Sequence, residues 1–464
     1  MDRRKFLKFL GLGAAASALP AKAPAANVPA KAECPNVFFV IADDMTWSDA
    51  GCYGNPDVQT PNIDKLAADG MRFSRCFTAT AMCSPSRQQL YTGLYPVKNG
   101  AYPNNSRAKP GIKSIAHYLK ELGYRVGIAG KKHYAPPESY PFETVAAKAD
   151  DYAAIENFIN RDKTQPYCLV VAYKQPHLPW NKGTPQDYDP KKLMLPPYMV
   201  DTTETRNGLA RYYAEITYLD AQIAKCMELV DQSGTRENTL FIFTSEQGSA
   251  FAHCKWTLYD SGIRTAFIAR WPKRIKAGSV TDAMVQYVDV TPTLIELAGG
   301  QAIHGLDGFS FLPVLLGQEN CHRDVTYGVH TTREIRFTSD CYPVRSIRTA
   351  AHKYIMNLNH KVEFSTNVTK RDPGGFWKSW LEKAKTDLDA ARKVEMFVRR
   401  PAEELYDLEK DPYEINNLAG DPKYRPLTDS LQKQLLKWME QQGDKGIETE
   451  MLAFERQDRA KNDD

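Results

Sequence analysis

Several short stretches of this 464-residue chain carry side chains that could do chemistry together. Cys83-Ser84-Pro85-Ser86-Arg87 sets a nucleophile-capable thiol, a rigid proline and a guanidinium in one run, continuing to Gly93. An Arg one helical turn beyond the Cys can share its helix face and clamp an oxyanion. Asp43-Asp44 places two hard carboxylates side by side, and Glu246-Gln247 offers two further oxygen donors. Lys131 and Lys255 are cations for an anionic substrate, and His133 and His177 are groups that carry protons near neutral pH. Each stretch alone has an ordinary structural reading. A lone Cys is a small buried hydrophobe more often than a nucleophile. Asp-Asp can be a solvated turn, Lys131-Lys132-His133 a basic turn, and His177 a stiff loop residue between Pro176 and Pro179.

The elements around these stretches make the combination meaningful. Asn36–Ala42, Gly123–Gly130, Tyr167–Tyr173 and Asn238–Thr244 are apolar, β-rich runs of the kind buried on both faces of a parallel sheet. Asp43, Lys131, Gln175 with His177, and Glu246 each follow one of these runs, at the C-terminal strand ends where open α/β sheets bind ligands. The Cys83 motif opens a helix, whose N-terminus favours an anion. Helices are expected from Thr60-Pro61, over Ser114–Leu122, over Tyr212–Leu229 and after Val288. Composition shifts near Gly299–Gly308, and the remainder reads as a smaller α+β part with strands at Val325–Val329 and Lys353–Asn357. Trp377 and Trp380 are expected on one packed helix face, and Leu427–Trp438 as a closing amphipathic helix. The expected organisation is a leader and spacer over 1–32, a catalytic domain over 33–320, a C-terminal subdomain over 321–446 and a frayed tail over 447–464.

A formal net charge of +4 argues against a dedicated nucleic-acid binder but leaves room for an anionic substrate held by local charge. Nine Cys without metal-site spacing argue against a structural zinc. Arg3-Arg4-Lys5-Phe6-Leu7-Lys8, the apolar run to Leu19 and the Ala-rich end read as a secretory signal of twin-arginine type, too short to span a membrane. An exported, periplasmic or secreted bacterial protein is expected, without a stable membrane span.

The run Cys-x-Pro-Ser-Arg-x-x-Leu-x-Thr-Gly over Cys83–Gly93 resembles the signature of type I sulfatases, and the other stretches match in order. Gly130-Lys131-Lys132-His133 is similar to that family's Gly-Lys-x-His, Pro176-His177-Leu178-Pro179 to its Pro-His-x-Pro, and Lys255 to Arg264 to its Lys-x-x-x-Tyr-x-x-Gly-x-Arg segment. The resemblance implies an alkaline-phosphatase-like α/β sandwich with a mostly parallel central sheet. It implies that Cys83 is oxidised to Cα-formylglycine by a maturation enzyme and that Asp43, Asp44, Cys83, Glu246 and Gln247 surround calcium. Glu246-Gln247 departs from the family's Asp followed by Asn or His, each side chain being one methylene longer. The implied reaction is covalent sulfuryl transfer: a hydroxyl of the hydrated aldehyde attacks sulfur, and the second expels sulfate. Arg87 would hold the formylglycine, Lys131 and Lys255 the sulfate oxygens, and His133 would take the diol proton. His177 would protonate the leaving group. Arg264 is expected to pair with core carboxylates.

Tyr188-Asp189-Pro190 and Tyr342-Pro343-Val344-Arg345-Ser346 resemble heparan N-sulfatase (sulfamidase) more than other sulfatases, which implies an N-sulfoglucosamine substrate contacted by Gln175, Glu334 and Arg345. Gln175 stands where the sulfamidase has Asp, so an O-sulfated saccharide is an alternative. Others are a phosphonate or phosphodiester hydrolase and a non-catalytic sulfoglycan-binding protein.

Overall fold

A computed structural model of the protein describes residues 34–457, so the leader expected over 1–32 lies outside them. The central sheet contains β1 (Asn36–Ala42), β2 (Met71–Phe77), β3 (Arg125–Gly130), β4 (Glu143–Ala146), β5 (Tyr167–Ala172), β6 (Thr239–Ser245), β7 (Arg264–Arg270), β8 (Ser279–Thr281) and the short β9 (Val285–Gln286). Their order is β4-β3-β5-β1-β6-β7-β2-β8, with β9 also on β2. Only β7 runs against the others: it pairs antiparallel with β6 and β2, while β1 pairs parallel with β5 and β6. The sheet is therefore mostly parallel, and β1, β2, β3, β5 and β6 all end at one edge.

The apolar runs form central strands because both of their faces are covered. Val37, Phe39 and Ile41 enter one core layer, and Phe38, Val40 and Ala42 the other. Each of the Val, Ile and Phe side chains contributes about 1.5–3 kcal/mol on burial. Phe38 also stacks on Phe241 of β6 at 5.1 Å. The long helix Thr203–Gln232 starts before the apolar pattern that announced it. Its first turn is capped by Thr202, which accepts from the Thr205 amide.

A second sheet, β10 (Thr326–His330), β11 (Val344–Arg348), β12 (His352–Asn357) and β13 (Glu403–Asp407), is antiparallel throughout. The helix Arg425–Gln442 buries Leu431, Leu435 and Trp438 from one face, and Trp438 stacks on Tyr327 at 4.6 Å. Trp377 and Trp380 are buried against Phe376 and Phe397, which makes them core residues and not a sugar platform.

One expectation needs correction here, and a second is refined. The tail does not fray within the described residues: Ile447–Met451 and Ala453–Arg456 are helical, and Gln457 bridges to Ser106. Local composition is polar there, but Glu450 and Ala453 are fully buried by tertiary partners. Arg264 feels the buried Asp260 carboxylate, as expected, but its direct contacts lie elsewhere. Its Nε donates to the Ser74 carbonyl (2.8 Å), and its guanidinium lies 3.5 Å over the Trp47 ring.

Candidate active site

The helix Cys83–Thr92 follows β2 through an extended N-cap, Met82, which offers no side-chain cap. The first amides therefore turn to other partners, and the Ser84 N–H donates to Asn104 Oδ1 at 3.2 Å. Every residue of the helix is buried, including its polar ones. Hydrogen bonds offset much of the cost of this burial, although Gln89 Nε2 and Tyr91 OH have no partner. The Ala79 amide donates to Gln89 Oε1, Gln88 Nε2 donates to Ser84 Oγ, and Ser86 Oγ donates to the Glu246 carbonyl (2.7 Å). Gly93 ends the helix in the left-handed region (φ 68°), the usual glycine stop.

The strand ends converge on Cys83. Its Sγ lies 3.7 Å from Asp43 Oδ1 and 4.0 Å from Asp44 Oδ1, with Gln247 Nε2 at 3.1 Å. Ligand atoms of Asp43, Asp44, Cys83 and Glu246 all fall within 4.8 Å of one another. Three cations face these three carboxylates. Lys131 Nζ sits 2.5 Å from Asp43 and 3.6 Å from Glu246, and Lys255 Nζ sits 2.7 Å from Asp44. Arg87 Nε lies against Glu246 Oε2 while its Nη1 donates to the Lys131 carbonyl at 3.1 Å. His177 Nε2 is 3.6 Å from Asp44 Oδ2. The floor of the cleft is fully buried, whereas the His177 side chain is 39% exposed and Lys131 is 16% exposed, so the mouth opens beside these two.

Burial would raise Asp43, but Lys131 and then His177 hold it well below the usual carboxylate range. Burial raises Glu246 to about 7 against the pull of Arg87. Burial would lower both lysines, yet Asp43 beside Lys131 and Asp44 beside Lys255 keep their ammonium groups charged. Burial, and then Lys255, lowers His177. Burial and the Glu246 charge push the Cys83 thiol far up, so an unmodified Cys83 stays protonated and is a poor nucleophile.

Of the residues expected to contact substrate, Gln175 lies beside the cleft, its carbonyl accepting from the Asp43 amide at 2.9 Å. Glu334 is exposed on the loop after β10, 3.5 Å from Arg333. Arg345 is corrected. It is fully buried, its Nε donates to Asp444 at 2.5 Å and its Nη1 to the His330 and Val344 carbonyls. A guanidinium closed off in this way braces the second sheet and reaches no substrate. Asn105, which sequence reasoning passed over, places its Oδ1 2.5 Å from His133 Nε2. The only local signal was an Asn pair in a Pro/Asn turn, a residue type that tolerates the left-handed backbone seen at Asn105 (φ 54°).

The donor set suits a hard divalent cation. Three carboxylates converge with Cys83, His177 brings one ring nitrogen to the same place, and the buried Gln247 Oε1 has no hydrogen-bond partner. A cation that takes several oxygens at flexible geometry, as calcium does, would use both features.

Known proteins resemble this chain over the residues that build the cleft. The family described as Sulfatase matches residues 35–300, more than half of the chain and all of the cleft. The family described as N-sulphoglucosamine sulphohydrolase, C-terminal, matches residues 250–400. An ulvan-active sulfatase of Formosa agariphila is 36% identical over 89% of this chain and 81% of its own. The N-sulphoglucosamine sulphohydrolase of Homo sapiens is 27% identical over 87% of this chain and 89% of its own. The solved structure of BT4656 in complex with its substrate D-glucosamine-2-N,6-O-disulfate shares the fold, with a TM-score of 0.69 and 22% identity over 89% of this chain and 98% of that one. A chain so matched over the residues that build its cleft belongs to the sulfatase family and is a sulfatase.

Proposed function

We propose that the protein removes the N-sulfate of a glucosamine saccharide, with Cys83 in its formylglycine form and calcium bound by Asp43, Asp44, Glu246 and Gln247. The observation that carries the sulfatase chemistry is the cleft itself, where a buried nucleophile position sits among three carboxylates and three cations. Burial and the Glu246 charge push the Cys83 thiol up, which supports a modified side chain there. A hydrated aldehyde supplies one hydroxyl to attack sulfur and another to release sulfate. Calcium would supply Lewis-acid polarisation of the oxygens around it.

The remaining roles fall to the chain's own side chains. Lys131 and Lys255 hold the sulfate oxygens and balance their charge as the bond to the leaving group lengthens. Arg87 locks Glu246 and the Lys131 backbone in place. His133, oriented by Asn105, is the base for the hydroxyl proton. His177, at the cleft mouth, gives a proton to the departing nitrogen or oxygen. Gln175 and Glu334 are the candidate sugar contacts. The likeness over residues 250–400 supports the N-sulfated sugar. A second reading, an O-sulfated polysaccharide, draws on Gln175, which offers no carboxylate to an amino sugar, and on the 36% identical ulvan-active relative.

The export inferred from the Arg3-Arg4 leader belongs to the same proposal, as do its partners, a formylglycine-generating enzyme and the twin-arginine machinery. No helix among the described residues is long and apolar enough to cross a membrane. The test is sulfate release from a panel of N-, 2-O-, 3-O- and 6-O-sulfated saccharides, with an aryl phosphodiester alongside. N-sulfoglucosamine turned over best is the expected result. Preference for an O-sulfate selects the second reading, and preference for the phosphodiester removes both.

A further inference from the structure

We infer that the C-terminal segment 449–457 is a strap that positions His133 and the loop carrying Glu334, so that the far end of the chain completes the cleft. The catalytic part of this inference rests on the sulfatase reading above; the structural part does not.

The strap grips the loop 102–107 at successive points. Tyr102 OH donates to the Thr449 carbonyl at 2.9 Å, and the Arg107 amide donates to the Arg456 carbonyl at 2.8 Å. Gln457 Nε2 donates to the Asn104 carbonyl at 3.0 Å, and Gln457 forms an antiparallel bridge with Ser106. The same loop acts on the cleft from its other side. Asn104 Oδ1 accepts from the Ser84 amide beside Cys83, and the Ser106 carbonyl accepts from Gln88 Nε2 of the nucleophile helix. Asn105 Oδ1 meets His133 Nε2. An amide oxygen can only accept, so Nε2 carries the proton and Nδ1 is the basic nitrogen of His133. Asn105 and His133 both sit at positive φ, 54° and 47°. Such backbone is uncommon outside glycine and persists where the surroundings fix it. The strap is part of those surroundings.

A second grip holds the loop that carries Glu334. Glu450 is fully buried, and its Oε1 accepts from the amides of Thr332 (2.7 Å) and Arg333 (2.8 Å), immediately before Glu334. One buried carboxylate thus fixes the loop after β10, while Gln457, seven residues on, fixes the loop that holds His133. Asn105, Glu450 and Gln457 are positioning residues in this arrangement, because each acts through another group.

The test uses the full mature enzyme with calcium. Four variants are compared with the parent: Gln457→Ala, Asn105→Ala, Asn105→Asp, and Met451→Ala as an exposed control on the same segment. The readouts are kcat and KM on a small aryl sulfate, Tm, and amide hydrogen exchange of the 102–107 peptide. Gln457→Ala is expected to speed exchange in 102–107 and to lower kcat about tenfold, with KM and Tm unchanged. Asn105→Ala is expected to lower kcat about 10–100-fold. Asn105→Asp, which keeps an acceptor oxygen and tolerates positive φ, restores most of that loss, and Met451→Ala matches the parent.

Unchanged exchange in Gln457→Ala overturns the strap. Faster exchange with kcat within twofold of the parent overturns its effect on His133, and a kcat loss that tracks a lowered Tm reduces it to a structural clamp. If the parent releases no sulfate, the sulfatase reading fails, and the exchange data still decide the strap.

Discussion

Two clusters of buried charge lie in this molecule, and they differ in whether their polar groups are closed off. In the cleft, Asp43, Asp44 and Glu246 face Arg87, Lys131 and Lys255. Between the two sheets, Asp260 and Glu414 face Lys353 and Arg348. Charges balance in both. In the second cluster three oxygens enclose the Lys353 ammonium, those of Asp260 at 2.5 Å, Glu414 at 2.7 Å and the Leu258 carbonyl at 3.1 Å, and none of these side chains reaches solvent. In the cleft, Lys255 donates to Asp44, Gln247 Oε1 has no partner, and Lys131 and His177 reach the solvent. The closed cluster joins sheets. The open one has capacity left for a cation and a sulfate. Buried charge alone therefore does not mark a catalytic site; unused donors and acceptors next to an opening do.

The largest way to break this contrast is at the nucleophile. Cys83→Ala should lower kcat/KM by at least about 10⁴-fold while leaving Tm unchanged or higher, measured by sulfate release and thermal melting. Equal loss of stability would mean that Cys83 holds the cleft together as Lys353 holds the sheets. The reverse pattern is expected at the closed cluster. Lys353→Met leaves the buried Glu414 without a cation and Asp260 with Arg348 alone, and should cost about 3–5 kcal/mol in denaturant unfolding, with KM of the folded fraction unchanged. Arg345→Met should behave the same way through Asp444, and a raised KM there would return Arg345 to the substrate.

Cation binding sharpens the contrast further. Calcium at about 100 times its Kd should stabilise the protein by about 2.7 kcal/mol, and a chelator should remove both that increment and activity. Gln247→Leu should reduce the increment, whereas Lys353→Met should leave it intact.

The smallest effect is read with pH. Burial lowers His253 and His330 to about 3, below the unfolded value near 6.5. Below that value the unfolded chain binds a proton that the folded chain refuses, so stability falls as pH falls from about 6.5 toward 3. Acidifying from pH 7 to 5 should cost about 2 kcal/mol per histidine, and His330→Leu should flatten the unfolding-midpoint-versus-pH curve by one such increment.

Much of this was legible because it is local. An apolar run such as Val37–Ala42 followed by Asp43-Asp44 states a buried strand and its charged end in consecutive residues. The Cys83 motif, Lys131, His177 and Lys255 each sit within a few residues of an element boundary that pattern reveals. Long-range pairing was not legible. Arg345 stands in a stretch whose resemblance implied a substrate contact, and only the packing of Asp444, 99 residues later, turns it inward. Fraying was a fair reading of a polar tail. Glu450 is ordered by two amides more than a hundred residues upstream, which no window of sequence contains.

By itself the sequence determined which residues could do chemistry and that they stand at the ends of buried strands. Hydrophobic period and side-chain type are properties of neighbouring positions. Tertiary structure alone decided which charges close on one another and which stay open. That choice depends on the distances between strand ends, loops and a C-terminal strap brought together only by folding. It separates Lys255 from Lys353, two buried lysines that are chemically alike.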